Sequence, residues 1–309
     1  MSERTLAQVI PSMPTSDGAG VKLRRSLGSG QERMRFDPFL MLDEFYSDNP
    51  DDYLAGFPPH PHRGFETVTY MLDGHMQHKD NFGNTGDLGP GAVQWMTAAR
   101  GIVHSEMPQQ SEGRMRGFQL WLNLPAAEKM KPASYRDIPA GDIPAVSLPG
   151  GGEVRVIAGS IELDGKVTHG PVNGGGNGAG AKLATDPLYV DVRLPAGATF
   201  SAPVARGHNA FVYAYEGSAT IGGPAGKPLP HRAAGLLSDG DSVTVTAGAD
   251  GGRFLLLAAR PLREPVVQYG PFVMNTREQI EEAIYEYNMG TLALTADELR
   301  KLEAERARR

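Results

Sequence analysis

Residues 59–108 read PHPHRGFETVTYMLDGHMQHKDNFGNTGDLGPGAVQWMTAARGIVHSEMP. Two short phrases bracket the stretch, His60-Pro61-His62 near its start and His104-Ser105-Glu106 near its end. On a β-strand residues i and i+2 share a face, so each phrase presents two side chains in one direction. Between them the chain punctuates like a small antiparallel barrel. Glu66 to Met71 alternates and is β-prone, Asp73-Gly74 is a turn signal, and Asn81 to Gly91 carries four glycines and a proline. Val93 to Met96 reads as a further strand, and Arg100-Gly101 leads into the one that bears His104. The spacing predicts a hairpin-rich jelly roll.

Three imidazoles and one carboxylate suit a mid-row divalent metal such as iron, manganese, nickel, copper, cobalt or zinc better than calcium or magnesium. Four protein ligands on an octahedral ion leave two positions open for substrate and dioxygen. A lone strand histidine is more often a core or surface residue than a ligand; it is the clustering of pairs that argues for a metal. His75 and His78, spaced i, i+3 beside the Asp73-Gly74 turn, fall on opposite strand faces and read as surface residues.

A length of 309 residues predicts two domains, and 40% hydrophobic content suffices for two cores. With 39 glycines and 24 prolines, the composition favours short strands and tight turns. A net charge of −6 gives no basic field for nucleic acid. The absence of cysteine removes disulfides, thiolate metal sites and cysteine nucleophiles. No signal-peptide core or transmembrane run occurs, so the reading is of a soluble cytoplasmic protein without membrane contact.

Val21 to Leu27 alternates as a strand, with Arg25 interrupting its apolar face; a strand-edge position with the guanidinium in water is the expectation, ahead of a reach to a buried carboxylate. Phe39 to Phe45 reads as a more buried strand. In Gly117 to Pro125, Phe118, Leu120, Leu122 and Leu124 share a core face. The opposite face, Gln119, Trp121 and Asn123, is assigned to the core or a domain interface ahead of a pocket lining. Lys129 to Pro149, rich in proline, reads as an inter-domain crossing. The cluster Gly174 to Gly180 lacks the Gly-Lys-Ser/Thr of a phosphate loop and reads as a flexible surface loop. Thr276 with Gln279 forms a capping-box pattern ahead of a helical stripe of Ile280, Ala283, Ile284 and Tyr287 that stops before Gly290. Thr295 with Glu298 suggests a second cap before Leu299 and Leu302, and the tail Arg306-Ala-Arg-Arg reads as solvated.

The runs His60-Pro-His-Arg-Gly-Phe-Glu-Thr-Val-Thr-Tyr, Gly91-Ala-Val-Gln-Trp-Met-Thr-Ala-Ala-Arg-Gly-Ile-Val-His-Ser-Glu-Met-Pro and Glu264-Pro-Val-Val-Gln-Tyr-Gly-Pro-Phe-Val-Met-Asn resemble the pirin family of the cupin superfamily. The similarity runs from about residue 23 to about residue 290. It implies an all-β bicupin, two double-stranded β-helix barrels with a short C-terminal helical extension. The expected divisions are residues 1–135 for a metal-binding barrel, 136–262 for a degenerate barrel, and 263–309 for a strand and helices packing back. His208 can be laid over the first histidine motif, but Ala210 stands where the second ligand would be and no His-x-Glu follows. One metal, usually Fe(II), is implied in the N-terminal barrel at His60, His62, His104 and Glu106. In the wider superfamily the carboxylate ligand follows the paired histidines, at the position of Glu66. Four residues of regular strand span about 13 Å, so Glu66 reaches the same metal only if the chain bends, for example at Gly64. By strand parity Glu66 shares the face of His60 and His62, so spacing alone does not exclude it. Glu106 needs no such bend and is the position the pirin pattern uses, so the resemblance implies Glu106 as ligand, with Glu66 as a supporting partner or a salt bridge to an arginine.

The resemblance implies two functions of different kinds. One is a dioxygenase cleaving flavonols such as quercetin at the 2,3 bond, with Glu106 as base as well as ligand. The other is an iron-dependent regulator that binds a transcription factor or metabolic enzyme. Monomer is the expectation from the same resemblance.

Overall fold

The structure is a computed structural model that describes residues 2–28, 36–175, 182–223, 226–294, 297–298 and 300–302. Gly176 to Gly180 of the glycine cluster, Thr295, Leu299 and the Arg306 to Arg309 tail lie outside the described residues. The chain divides into two compact units, one of residues 1–15, 24–43 and 138–262, the other of 16–23, 44–137 and 263–309. The division runs through the strands Val21–Leu27 and Phe39–Ser47.

The unit holding the histidine phrases is built from two antiparallel sheets. One has four strands in the order Phe57–His62, Ile102–Pro108, Met76–Asp80, Thr85–Leu88. The larger runs Ser134–Ile138, Val93–Thr97, Phe65–Asp73, Met115–Asn123 and on into Phe39–Ser47, Val21–Leu27 and Met13–Asp17. Apolar side chains of both sheets meet in one core, where Met76 and Leu88 of the smaller pack with Phe45, Met71 and Met115 of the larger. Burying two half-apolar sheets against each other is the jelly-roll solution to strands that alternate. The Asp73-Gly74 turn does not close a hairpin. Phe65–Asp73 and Met76–Asp80 belong to different sheets, so the turn hands the chain across the core.

The other unit is a nine-stranded antiparallel sheet curled around its own core, whose longest strands are Asn209–Ile221 and Ser242–Ala259. Val156, Val190, Val212, Phe254 and Leu256 are fully buried there. Ala210 is buried in it, and His208 lies 4.0 Å from Asp186. Arg25 departs from expectation. Its guanidinium makes a two-pronged contact with the buried Asp43, Nε to Oδ1 at 2.7 Å and Nη2 to Oδ2 at 2.6 Å. A fork that satisfies both carboxylate oxygens makes burial of Asp43 tolerable, which a solvated arginine would not.

The helix Arg277–Asn288 begins at the expected capping box, with Thr276 Oγ1 accepting from the Gln279 amide at 3.3 Å and Gln279 Oε1 accepting from the Thr276 amide at 3.2 Å. Ile280 and Ala283 are buried against Phe272, Met274 and Leu292; Ile284 is partly buried, and Tyr287 stays on the rim with its ring 6.3 Å from that of Phe272.

Candidate metal centre

The two histidine phrases lie on neighbouring antiparallel strands, in register, with His104 opposite His60 and Ile102 opposite His62. Directly paired residues share a face, so parity within each strand and pairing between them aim all three imidazoles into one space. One nitrogen from each of His60, His62 and His104 lies within 4.8 Å of the other two. The Nε2 atoms of His60 and His62 are 3.0 Å apart. The carbonyl of Pro58 can only accept, so His60 Nδ1, at 2.9 Å from it, carries the proton and leaves a lone pair on Nε2.

The protonation states suit a cation. Burial first, and the neighbouring imidazoles second, hold His62 and His104 well below the ordinary histidine range, so both are neutral at pH 7. His104 is buried and neither of its ring nitrogens has a hydrogen-bond partner among the described residues. An orphaned buried imidazole is costly unless something binds its lone pair. Neutral, converging nitrogen donors are what a divalent transition metal requires, and the residues present fit one.

Glu106 lies two residues beyond His104 on the same strand, buried, but outside the group of three converging nitrogens. A register shift between His104 and Glu106 places Glu106 opposite Phe57 on one side, while His78 pairs with it on the other. Its Oε1 sits 3.0 Å from Thr69 Oγ1, which lies 2.6 Å from the Gln119 side-chain oxygen. A hydroxyl has one proton to give. With the Gln119 amide turned over, the chain becomes consistent, Gln119 donating to Thr69 and Thr69 to Glu106. Burial pushes the Glu106 carboxyl above its ordinary range, opposed by His60 and by the Thr69 hydrogen bond.

Glu66 is placed differently. Gly64, at a φ of +92°, turns the chain out of the four-stranded sheet, and a Cβ there would collide with the Val273 carbonyl. Phe65 then starts a strand of the larger sheet, where Glu66 is fully buried and accepts from Thr97 Oγ1 at 2.7 Å. The bend exists, yet it carries Glu66 away from the three imidazoles, and its partner is a threonine rather than an arginine.

Residues 20–122 match the Pirin family, and residues 189–293 match the Pirin C-terminal cupin domain. The chain belongs to the pirin family. A pirin-like protein of Caulobacter vibrioides is 50% identical over 94% of this chain and 99% of its own. Pirin of Homo sapiens is 41% identical over 93% of each. Among solved structures, a quercetin 2,3-dioxygenase of Acinetobacter baumannii superposes with a TM-score of 0.82 at 32% identity, covering 94% of this chain and 99% of its own. Two cupin domains and a predominantly β architecture thus stand for this pirin as the motifs implied.

The surroundings of this pirin's cage were only partly legible. His78, expected on the surface, is buried: its Nε2 meets both carboxylate oxygens of Asp137 at 3.0 and 3.1 Å, and Gln94 Nε2 donates to the same carboxylate at 2.9 Å. His75 is the exposed member of that pair. Of the mixed face of Met115–Asn123, assigned to the core or a domain interface, Asn123 is buried against Lys129, while Gln119 and Trp121 turn toward the cage. The Trp121 ring lies 5.3 Å from that of His62 and 4.4 Å from that of Phe65, and Gln119 reaches Thr69. The signal available was the alternation itself, which puts two polar residues and one aromatic on the side of the strand opposite its apolar face.

Two further groups hold the His-Pro-His strand from behind. Arg63, fully buried, bonds to Glu286 of the helix and the Arg100 carbonyl, and donates to the Leu292 carbonyl at 3.1 Å. Lys129 Nζ donates to Gly64 O and Asn123 Oδ1, each at 2.6 Å, and to Val273 O at 3.0 Å. Three acceptors match the three donors of an ammonium, although burial draws its pKa down to about 7.

Proposed function

We propose that this protein is a metal-dependent dioxygenase of the flavonol-cleaving kind, with His60, His62, His104 and Glu106 as ligands of one divalent ion, Fe(II) foremost. The observation that carries this is the conjunction of three converging imidazoles with a buried carboxyl, its pKa raised by burial, two residues along the same strand. When bound, the metal supplies Lewis acidity toward a flavonol oxygen and a place for dioxygen to react. The chain's own residues supply the rest. Glu106, its proton affinity raised by burial, takes the 3-hydroxyl proton at a carboxylate oxygen. Thr69 and Gln119 orient that carboxylate by hydrogen bonding. His60 keeps its Nε2 lone pair directed inward because Pro58 fixes the proton on Nδ1. Trp121 and Phe65 close the His62 side against water.

The likeness to the Acinetobacter baumannii quercetin 2,3-dioxygenase supports this substrate class. Metal content of the purified protein, measured with dioxygen uptake on quercetin for wild type, His62→Ala and Glu106→Ala, tests it. Stoichiometric metal with uptake lost in both variants is the expected result. A metallated wild type that consumes dioxygen no faster than His62→Ala sinks the enzyme reading.

That outcome would favour the second reading, an iron-dependent regulator that binds a transcription factor or metabolic enzyme. The observation on its side is the depth of the cage, since His62 and His104 are only 3% and 2% exposed. It predicts a partner affinity that differs between the Fe(II) and Fe(III) forms; equal affinity in both, and after chelation, counts against it.

A further inference from the structure

The metal-bearing unit holds a second concavity that none of His60, His62, His104 or Glu106 lines. It is an open cleft of about 720 Å³, bordered by the Asp80–Asn84 turn, by Arg100 to Ile102 and by Met130 to Tyr135. That volume is in the range of small-molecule sites. Phe82 and Met130, two of the chain's few large apolar side chains in open solvent at 50% and 40% exposure, stand on its borders. Pro132 and Ala133 continue the apolar wall, over the buried Ile102.

The polar groups at this cleft are specific in kind. Arg100 Nε donates to the Leu294 carbonyl at 2.5 Å and its Nη2 meets Glu286 at 3.4 Å, while Nη1 has no hydrogen-bond partner among the described residues. The Tyr135 hydroxyl likewise has none. Burial and the carboxylates of Asp80 and Asp137 raise its pKa, which keeps it a donor at neutral pH. The one lining carboxylate, Asp80, is already engaged, accepting from the amides of Phe82 and Asn84 at 2.9 Å each and from Asn84 Nδ2 at 2.8 Å. The Arg100 charge is shared with Glu286. Glu286 also pairs with the buried Arg63, so the positive charge left over is matched by the Asp80 carboxylate, and the cleft offers spare donors, apolar walls and no net charge.

We infer that this cleft binds a planar, uncharged aromatic compound carrying a carbonyl acceptor, the ring against Phe82 and Met130 and the carbonyl oxygen on the Arg100 and Tyr135 donors. A carbonyl has two lone pairs and can accept from both. The charges around the cleft, Arg63 and Arg100 against Glu286 and Asp80, sum to zero, so a charged ligand would add a net charge, and a ring without an acceptor would leave both donors desolvated and unmade. The site does not depend on the metal or on the flavonol reading.

Chromone, a bicyclic ketone lacking the 3-hydroxyl of a flavonol, is the probe, with naphthalene as the control of similar shape. Binding to the full chain is measured by equilibrium dialysis with and without metal. One chromone site is expected, with naphthalene weaker by about tenfold. Ser134→Trp, an exposed position that fills the cleft, should weaken chromone at least tenfold, Phe82→Ala severalfold, and Tyr135→Phe about fivefold, the worth of one hydrogen bond. His104→Ala should leave it unchanged. Wild-type affinity in both Ser134→Trp and Phe82→Ala, loss of binding in His104→Ala, or equal affinity for naphthalene would each overturn the inference. Melting temperatures near that of wild type confirm that Ser134→Trp and Phe82→Ala report on the cleft.

Discussion

At the scale of single residues, the contrast between Glu66 and Glu106 is the most informative. Both are buried carboxyls raised by desolvation, one beside a threonine in the larger sheet, the other beside a threonine next to the cage. Glu66 rises to about 7 from an ordinary 4.5. Its folded-state pKa lies above its unfolded value, so the folded chain holds the proton more tightly. Stability is therefore greatest below about pH 4.5 and declines as pH rises to about 7, by about 3 kcal/mol from this group alone. In chelator-treated protein, Glu66→Gln should flatten the slope of melting temperature against pH between 5 and 7; an unchanged slope would show that the group is not protonated in the fold. Glu106→Gln keeps the size and hydrogen bonding of the side chain but not its basicity. Flavonol-dependent dioxygen uptake in that variant should fall by about a hundredfold or more, and residual uptake near wild type would remove Glu106 from the base role.

Among elements, the helix Arg277–Asn288 does more than cover the barrel. Glu286 is the carboxylate partner of Arg63, which adjoins His62, and of Arg100. Glu286→Ala leaves a fully buried guanidinium without its counter-charge, a loss of about 3 kcal/mol or more. Denaturant unfolding should show that loss, and metal retention in dilute chelator should fall with it, because the His-Pro-His strand loses its brace. Stability lowered with metal retention intact would separate the helix from the cage. The N-cap is a smaller contribution; Thr276→Ala should cost about 1 kcal/mol, read as a small fall in melting temperature with metal content unchanged.

Across the whole molecule, a cage of converging imidazoles in which the buried His104 ring has no hydrogen-bond partner among the described residues is a site whose stability depends on occupancy. A divalent ion bound to the folded chain only, present at about a hundred times its Kd, adds about 2.7 kcal/mol. Titrating Fe(II), Mn(II), Ni(II), Cu(II), Co(II) and Zn(II) into chelated protein should raise the melting temperature for those that bind, and His104→Ala should abolish the rise for all of them. The net charge of −6 adds that any affinity for DNA should be weak and lack the steep salt dependence of a phosphate-binding surface.

What the sequence determined by itself was local and periodic. Strand parity put His60 with His62; alternation in Phe118 to Leu124 marked a core face; the Thr276 and Gln279 pair marked the helix start. These follow from geometry that repeats every two or 3.6 residues and needs no knowledge of distant chain. Only the tertiary structure decided which partner each group meets. It took His78 into the interior because Asp137, from a strand far along the chain, offered a carboxylate to its ring. It gave Arg25 a buried partner in Asp43, turned the Trp121 face to the imidazoles and carried Glu66 off to Thr97 through the Gly64 bend. A polar side chain's burial is settled by whether another group arrives to satisfy it, and that arrival depends on how two sheets close over one core.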